Sequence, residues 1–241
     1  ARLDMDTMTL EESGVSTCEV SLASLFEGQG EVSGVGPVSV EGYADLICGG
    51  GWPAPVARGS LDPGVAWDYI DALCESDVSE AAQSNLDPMR TRALLRSVAR
   101  CSAQEASLAT ILADVRDVGV GMSEPTLRVY LNALRRLYII RDIKAWAPAL
   151  RSKTPLRQAG VWHLCDPSLA AAVLETDANG LLSDLNTMGY LFESLCVRDL
   201  RVYLRPLNGE VCHYRDKNGL EADAVLRLQD GRWAAVEVKI G

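Results

Sequence analysis

Two strand-like runs joined by a tight turn constrain the fold more than any other feature of this sequence. The stretch EADAVLRLQDGRWAAVEVK covers residues 221–239, and the Asp-Gly pair at its centre is a preferred two-residue hairpin turn. Side chains alternate between the two faces of a strand, so the residues of each run are divided between two faces. The first run then has one apolar face, formed by Ala222, Ala224, Leu226 and Leu228.

The other face of this hairpin carries charged side chains: Asp223 in the first run, and Glu237 with Lys239 in the second. Antiparallel pairing across the turn can bring Asp223 alongside Glu237. Two carboxylates are suitable ligands for Mg²⁺ or Mn²⁺. The bound metal ion would lower the pKa of a bound water, and the lysine would orient that water or stabilise charge on a phosphate. The alternative is a solvated strand face with an ion pair of little energetic value.

The composition is typical of a globular protein in a reducing compartment. Hydrophobic residues make up 48% and charged residues 23% of the 241 positions. No apolar run approaches the ~20 residues of a membrane span, and the N-terminal stretch lacks the apolar region of a signal peptide. Seven cysteines without a CxxC pair predict free thiols. We therefore expect a cytoplasmic protein without a membrane partner, and no oligomeric state is predicted.

Charge is distributed unevenly along the chain. Residues 1–80 carry 2 basic and 15 acidic side chains, residues 81–160 carry 13 and 6, and residues 161–241 carry 8 and 12. The corresponding net charges of −13, +7 and −4 sum to −10. A basic middle third indicates contact with nucleic acid. Equally, the acidic first third could dock on the basic middle third within one molecule.

Residues 86–178 predict a winged-helix-like domain. Helix start signals occur at Asp87-Pro88 and at Ser123-Glu124-Pro125, with a further short helix between them, and an extended basic segment follows. Two strands in that segment would form the wing. The third helix has an apolar stripe for the core at Leu127, Leu131, Leu134 and Tyr138.

The third helix of a winged-helix module is the one that enters the major groove of DNA. From Arg128 to Arg157 there are eight basic residues against one acidic residue, Asp142. DNA is therefore an expected partner, although winged helices also serve as protein-binding modules. The candidate contacts are Arg128, Asn132, Arg135, Arg136, Lys144, Arg151 and Lys153.

The last part of the chain predicts a long helix followed by three strands. The segment LLSDLNTMGYLFESLCVRDLRVYLRP has apolar residues at helical spacing, with Glu193 among them. A carboxylate on a helix, an Asp on a strand and Glu-x-Lys on the next strand resemble the PD-(D/E)xK nuclease-like fold. The resemblance implies catalytic roles for Glu193, Asp223, Glu237 and Lys239, with Asp223 and Glu237 as ligands of Mg²⁺ or Mn²⁺.

A longer series of motifs resembles bacterial and archaeal AAA-type ATP-binding proteins, in which a P-loop ATPase domain precedes a C-terminal domain of unknown function. The motifs are MTLEESGVSTCEVSL, GGGWPA, GYLFESLCVRDLRVY, HYRDKNGLEADAVL and AVEVK, in that order. No P-loop motif occurs in this chain, so the resemblance implies a fragment. ATP would then bind only through an N-terminal ATPase domain, which is an expected partner.

The expected fold is an α+β multidomain arrangement: a winged-helix-like middle, then a PD-(D/E)xK restriction-endonuclease-like αβββ core truncated at its C-terminus. Residues 1–48 would be the tail of the ATPase domain with a connecting segment, 49–85 a helical linker, 86–178 the winged-helix-like domain and 179–241 the incomplete nuclease-like domain. The expected function is DNA-acting, with winged-helix contact and a Mg²⁺-dependent phosphodiester-cleaving site. The alternative is a non-catalytic interaction or regulatory module of the ATPase with a degenerate nuclease fold.

Overall fold

A mixed β-sheet joins the helical first part of the molecule to its C-terminal part. The computed structural model describes residues 5–29, 33–149, 158–216 and 218–240. Its strands are β1 Gln104–Glu105, β2 Ile140–Ala145, β3 Val161–Leu164, β4 Gly209–Arg215, β5 Glu221–Leu228 and β6 Trp233–Val236. Their order across the sheet is β1-β3-β2-β4-β5-β6, in which β2 and β4 are parallel and the other neighbours are antiparallel.

Most of the helices precede or flank this sheet. The first eight are α1 Leu22–Phe26, α2 Val40–Gly49, α3 Pro53–Ala57, α4 Gly64–Ala72, α5 Val78–Ala82, α6 Pro88–Arg100, α7 Leu108–Asp117 and α8 Glu124–Arg136. A π-helical turn, Leu73–Asp77, joins α4 to α5. Later in the chain, the described residues form the helices α9 Pro167–Val173, α10 Ala178–Ser183 and α11 Leu185–Leu204. A short 3₁₀ turn, Arg205–Leu207, follows α11. Among the described residues, no helix combines the length and apolar character needed to cross a membrane.

The helix starts predicted at Asp87 and Ser123 are confirmed. The Asp87 side chain accepts a hydrogen bond from the backbone N–H of Met89 at 2.8 Å. Ser123 Oγ accepts one from Thr126 at 3.3 Å. Each bond satisfies a backbone donor that the first helical turn leaves unpaired, which is why these short polar residues set the boundary.

The region predicted as a winged helix contains the helices α6, α7 and α8 and the strands β1, β2 and β3. Strand β1 follows α6 and pairs with β3. The predicted core positions Leu127, Leu131 and Leu134 are buried. The prediction for Tyr138 was wrong, because α8 ends at Arg136 and Tyr138 has a φ of 61°, outside the helix. Its half-buried ring instead lies 4.8 Å below the Arg141 guanidinium.

The C-terminal hairpin is confirmed, since β5 and β6 are antiparallel around a turn at Gly231 with φ 94°. Ala224, Leu226 and Leu228 pack with the α11 residues Val197 and Leu204. Ala222 was predicted on that same face, and this was wrong. It packs instead with Cys212 and Val225 on the other side. Cys212 pairs with Val225 and Tyr214 pairs with Ala222, so two residues of β5 stand opposite one residue of β4. This bulge in β5 changes the face on which Ala222 lies.

The sheet and the core continue across residue 178, where a boundary between the last two domains was predicted. Strand β2 pairs with β4, with Lys144 opposite Cys212. The largest apolar cluster extends along the chain from Ala44 to Leu195. The predicted domain limits stay predictions. The residues before and after position 178 contribute strands to one sheet.

The segment of residues 5–16 lies against both parts of the molecule. Met8 donates its backbone N–H to the Gly51 carbonyl at 2.7 Å, and Leu10 donates to Asp199 Oδ2 at 2.9 Å. A Cβ on Gly51 would come within 2.1 Å of the Met8 carbonyl oxygen, so this contact requires glycine. We call residues 5–16 the N-terminal segment.

Candidate functional site

An acidic cavity of about 410 Å³ lies where α11 meets the sheet. Helix α11 contributes Glu193 and strand β5 contributes Asp223, so the structure brings these two predicted site residues to one cavity. Several further polar side chains line it, namely Glu105, Tyr190, His213 and Glu221. We call this the acidic cavity.

Glu193 carries the strongest electrostatic signal in the acidic cavity. Burial raises its pKa to about 8, and the negative charges of Asp223, Glu221 and Glu237 act in the same direction. At neutral pH its carboxyl group is therefore largely protonated. A bound cation would reverse this balance, because it compensates the like charges that oppose ionisation.

Asp223 and Glu237 come from adjacent antiparallel strands. Ala224 pairs with Val236. Because the strands are antiparallel, the residue before Ala224, Asp223, lies opposite the residue after Val236, Glu237. Strand β6 ends at Val236, and Asp223 Oδ2 accepts a hydrogen bond from the backbone N–H of Val238 at 2.7 Å. The Asp223 carboxylate thus fixes the chain just beyond the strand, and one of its oxygens is occupied.

Glu237 and Lys239 do not line the acidic cavity. Lys239 Nζ lies 3.0 Å from Glu237 Oε1, and both side chains are exposed, at 77% and 55%. They line a second cavity of about 440 Å³, with Phe192 and Tyr203 among its walls. Glu237 is near enough to Glu193 to affect its pKa, while the lysine amine is directed at Glu237.

The donor types at this site fit a hard divalent cation, since carboxylate oxygens are what Mg²⁺ and Mn²⁺ prefer. Within the described ranges, however, no three Asp, Glu, His or Cys side chains are arranged to hold a metal ion. Glu237 would have to turn from Lys239 toward Glu193 and Asp223. Because exposed ion pairs contribute about 0–1 kcal/mol, that rearrangement costs little.

The predicted DNA-contacting arginines of α8 have partners within the molecule. Arg128 Nη2 lies 2.6 Å from Glu124 Oε1, and Arg135 Nε lies 2.6 Å from Asp142 Oδ2. Arg136 donates to the Ala81 carbonyl at 3.2 Å. Arg128 and Arg136 are nevertheless exposed, so their charges face solvent.

Arg128, Asn132 and Arg135 line one groove of about 370 Å³, as their spacing on one helix face predicts. The Arg135 guanidinium also lies 5.2 Å from the centre of the Trp162 ring in β3. Lys144 is separate and lies exposed on β2, opposite Cys212 of β4. Arg151 and Lys153 lie outside the described residues.

Sequence reasoning missed Glu105, Glu221 and His213 at the acidic cavity. Glu221 could have been found, since it is two residues from Asp223 on the same strand. His213 is buried on β4 opposite the bulge of β5, and burial lowers its pKa. Its Nε2 has no hydrogen-bond partner among the described residues. No sequence pattern identifies it or Glu105, because they reach the cavity only through strand pairing.

Two family models match the chain, one after the other. A domain of unknown function, DUF8612, matches residues 40–180, and a second domain of unknown function, DUF4143, matches residues 188–241. DUF4143 is known as a C-terminal domain of AAA-ATPase-like proteins. No curated protein and no solved structure matches the chain.

Proposed function

The chain belongs to the family of DUF8612, whose model covers more than half of it, and we propose that it is the DNA-acting C-terminal portion of an AAA-type ATP-binding protein. The DUF4143 match at residues 188–241 supports the link to such ATPases. ATP would bind in an N-terminal ATPase domain, which would be the partner of this portion. We propose that phosphodiester cleavage takes place at the acidic cavity and that α8 contacts DNA.

A divalent cation, Mg²⁺ or Mn²⁺, would bind in the acidic cavity. The observation that supports this is the convergence of Glu193, Asp223 and Glu221 on one partly buried space, where burial and the neighbouring negative charges raise the pKa of Glu193. Glu193 and Asp223 would hold the cation, joined by Glu237 once it leaves Lys239. When bound, such a cation supplies an activated water and polarises a phosphodiester. Lys239, released from Glu237, would stabilise negative charge on the phosphate.

Contact with DNA would be made by the module of α6, α7, α8 and the strands β1 to β3. This order of elements, with β1 beside β3 and β3 beside β2, is the arrangement expected for a winged helix. Helix α8 would lie in the major groove and present Arg128, Asn132 and Arg135. Each arginine would exchange its carboxylate partner for a phosphate or a base edge.

Cation binding is tested by titrating the metal-free protein with Mn²⁺ in a calorimeter. Wild-type protein should bind, and Glu193→Gln and Asp223→Asn should each weaken binding by at least about tenfold, since each removes a carboxylate ligand. Glu210→Gln is the matched control, because Glu210 is exposed and does not line the acidic cavity. Equal affinity in all four proteins would contradict the assignment of the site.

Cleavage is tested separately, with Mn²⁺ and branched, single-stranded and duplex DNA. A metal-dependent product that disappears in Glu193→Gln is the expected result. If the folded protein binds Mn²⁺ but gives no product on any of the three substrates, the nuclease proposal fails and the cation site stands.

DNA binding is expected to depend steeply on salt, because phosphate contacts release counterions. Arg128→Ala should weaken binding and lower the slope of log K against log [salt] by about 1. Arg90→Ala is the control, because it removes a half-buried arginine beside Asp87 on α6. Affinity is measured by fluorescence anisotropy from low to moderate salt.

The second candidate function is a non-catalytic interaction or regulatory module. The observation that favours it is the internal pairing of Arg128, Arg135 and Lys239 with carboxylates, which leaves less positive charge for DNA. DNA binding that is absent, or that does not change with salt, would support this function and reject the first.

A further inference from the structure

Three aromatic side chains lie beside Cys212 and Val225, on the face of the sheet opposite to the one that packs with α11. The Trp146 and Trp233 ring centres are 4.7 Å apart, and those of Trp146 and Tyr214 are 6.0 Å apart. Trp146 is buried, at 9% exposure, whereas Trp233 is 52% exposed and Tyr214 is half-buried. One buried ring therefore supports two more accessible rings. We call Trp146, Tyr214 and Trp233 the aromatic row.

Paired backbone holds each member of the aromatic row. Trp146 follows β2, and its N–H donates to the His213 carbonyl of β4 at 2.8 Å. Trp233 is the first residue of β6 and pairs with Arg227 of β5, and Tyr214 of β4 also pairs with β5. Because the sheet fixes the backbone of all three residues, a flat ligand that stacks on the rings orders few side chains when it binds.

Basic side chains lie beside the aromatic row. Lys144 of β2 pairs with Cys212, is exposed and forms no ion pair among the described residues. Arg227 lies opposite Trp233, and its Nη1 is 3.4 Å from Glu210 Oε1. The side chains of that ion pair are 47% and 53% exposed, and exposed pairs contribute little, so the guanidinium can exchange its partner for a phosphate. Cations beside accessible aromatic rings are complementary to a nucleic-acid strand, in which phosphates lie beside bases.

The aromatic row reaches the acidic cavity. Tyr214 lines that cavity together with Glu193 and Asp223, and the same ring contacts Trp146. Ala222, which packs in the apolar cluster of Trp146, lines the cavity as well. A strand whose bases lie on the aromatic row would therefore bring its phosphodiester backbone to the cavity carboxylates.

We propose that the aromatic row stacks the bases of single-stranded DNA and directs that strand to the acidic cavity. Stacking accepts any base, because every base has a π face, whereas the bases of a duplex are already stacked on one another. Lys144 and Arg227 would contact the phosphates. Delivery of the strand rests on the proposed cleavage at the acidic cavity, for which it names single-stranded DNA as the substrate class. Stacking itself does not depend on cleavage.

Binding is measured by fluorescence anisotropy in a chelator, so that cleavage does not contribute, with the whole chain and a labelled oligothymidylate of about 12 nucleotides. Trp233→Ala should weaken binding by at least about tenfold, because a base loses its stacking partner, and Trp233→Phe should retain most of the affinity. Trp67→Ala is the matched control, since Trp67 is 38% exposed on α4 and outside the aromatic row. Lys144→Gln should lower the slope of log K against log [salt] by about 0.7.

An abasic oligonucleotide of the same length separates stacking from charge. It keeps the phosphates and lacks the bases, so it should bind wild-type protein more weakly and should not respond to Trp233→Ala. Equal affinity of wild type and Trp233→Ala for oligothymidylate, or an equal loss on the abasic strand, would overturn the proposal. A change of oligomeric state in Trp233→Ala without a change in DNA affinity would also overturn it, and this face would then be a contact between copies of the chain.

Photocrosslinking of the wild-type protein keeps the proposal testable if Trp233→Ala does not fold. A single strand that contains 5-bromodeoxyuridine should crosslink to Trp233 or Tyr214 on irradiation, and mass spectrometry of the peptides locates the bond. Crosslinks confined to other parts of the chain would contradict the proposal.

Failure of the aromatic row and failure of the proposed cleavage give different results. Binding that depends on Trp233, with no metal-dependent product, would reject cleavage and support the stacking surface. A product from single-stranded DNA that forms equally in wild type and Trp233→Ala would support cleavage and reject the role of the aromatic row.

Discussion

Replacing Arg198 with methionine is expected to lower the free energy of unfolding by about 3–5 kcal/mol, the range for breaking a buried ion pair from one side. Arg198 Nη1 lies 2.9 Å from Asp166 Oδ2, and its Nη2 lies 2.8 Å from Asp199 Oδ1. The three side chains are 4%, 0% and 8% exposed, respectively. The variant would therefore leave two carboxylates buried without their cation.

The local structure offers these carboxylates no other cation among the described contacts. Asp166 accepts hydrogen bonds from the backbone N–H groups of Gly51 and Ser168, which hold it in place. Asp199 accepts from the backbone of Leu10 and so anchors the N-terminal segment. We expect the loss of Arg198 to loosen that segment as well as to destabilise the core.

Urea unfolding at neutral pH, followed by circular dichroism, measures the effect. Arg96→Met is the matched control, because its ion pair with Glu175 is exposed, at 50% and 65%, and should contribute at most about 1 kcal/mol. Equal stability of the two variants would show that the buried network contributes no more than the exposed pair.

As pH rises from 4.5 toward 8, the stability of the metal-free wild-type protein is expected to fall relative to that of Glu193→Gln. The folded-state pKa of Glu193 is about 8, above its ordinary value of 4.5, because of burial and the nearby carboxylates. Between these values the folded state holds a proton that the unfolded state has released. The contribution of Glu193 is therefore fully present below 4.5 and is lost as pH rises through 8.

The size of the effect follows from about 1.4 kcal/mol for each pKa unit. With part of the Glu193 side chain in contact with solvent, we expect a change on the order of 2–4 kcal/mol across the window. At pH 8, Glu193→Gln should thus be more stable than wild type. Mn²⁺ should restore stability to wild type by favouring ionised Glu193, and it should have little effect on the variant.

Urea midpoints at pH 5, 6, 7 and 8 in a chelator measure this dependence. Glu80→Gln, an exposed position on α5, controls for the loss of one negative charge. The same pH dependence in wild type and Glu193→Gln would contradict the raised pKa. A cation that stabilised both equally would contradict the role of Glu193 as a ligand.

Local features of the chain were sufficient to predict several elements. Asp87 and Ser123 mark helix starts because their side chains cap the backbone nearby. The hairpin of β5 and β6 follows from strand alternation and one Asp-Gly turn. The same alternation anticipated Asp223 opposite Glu237, since register across a tight turn depends on residues close in sequence.

Other features were decided only by the tertiary structure. The bulge in β5 moved Ala222 to another face, opposite the region of β4 where His213 lines the acidic cavity. Bulges depend on how neighbouring strands pack. Strand β1 brought Glu105 there from a distant part of the chain. Which carboxylate each arginine meets was also undetermined, because side-chain charge alone does not select among partners.

The contacts of Asp6 illustrate the physical reason. It lies 135 residues from Arg141 and 199 residues from Arg205 in sequence, yet their side chains meet. Capping, alternation and turn preferences act over a few residues, so a single sequence expresses them directly. Contacts between distant segments arise when apolar faces pack and bring them together. In this protein that packing assembled both the acidic cavity and the contacts of Asp6 with Arg141 and Arg205.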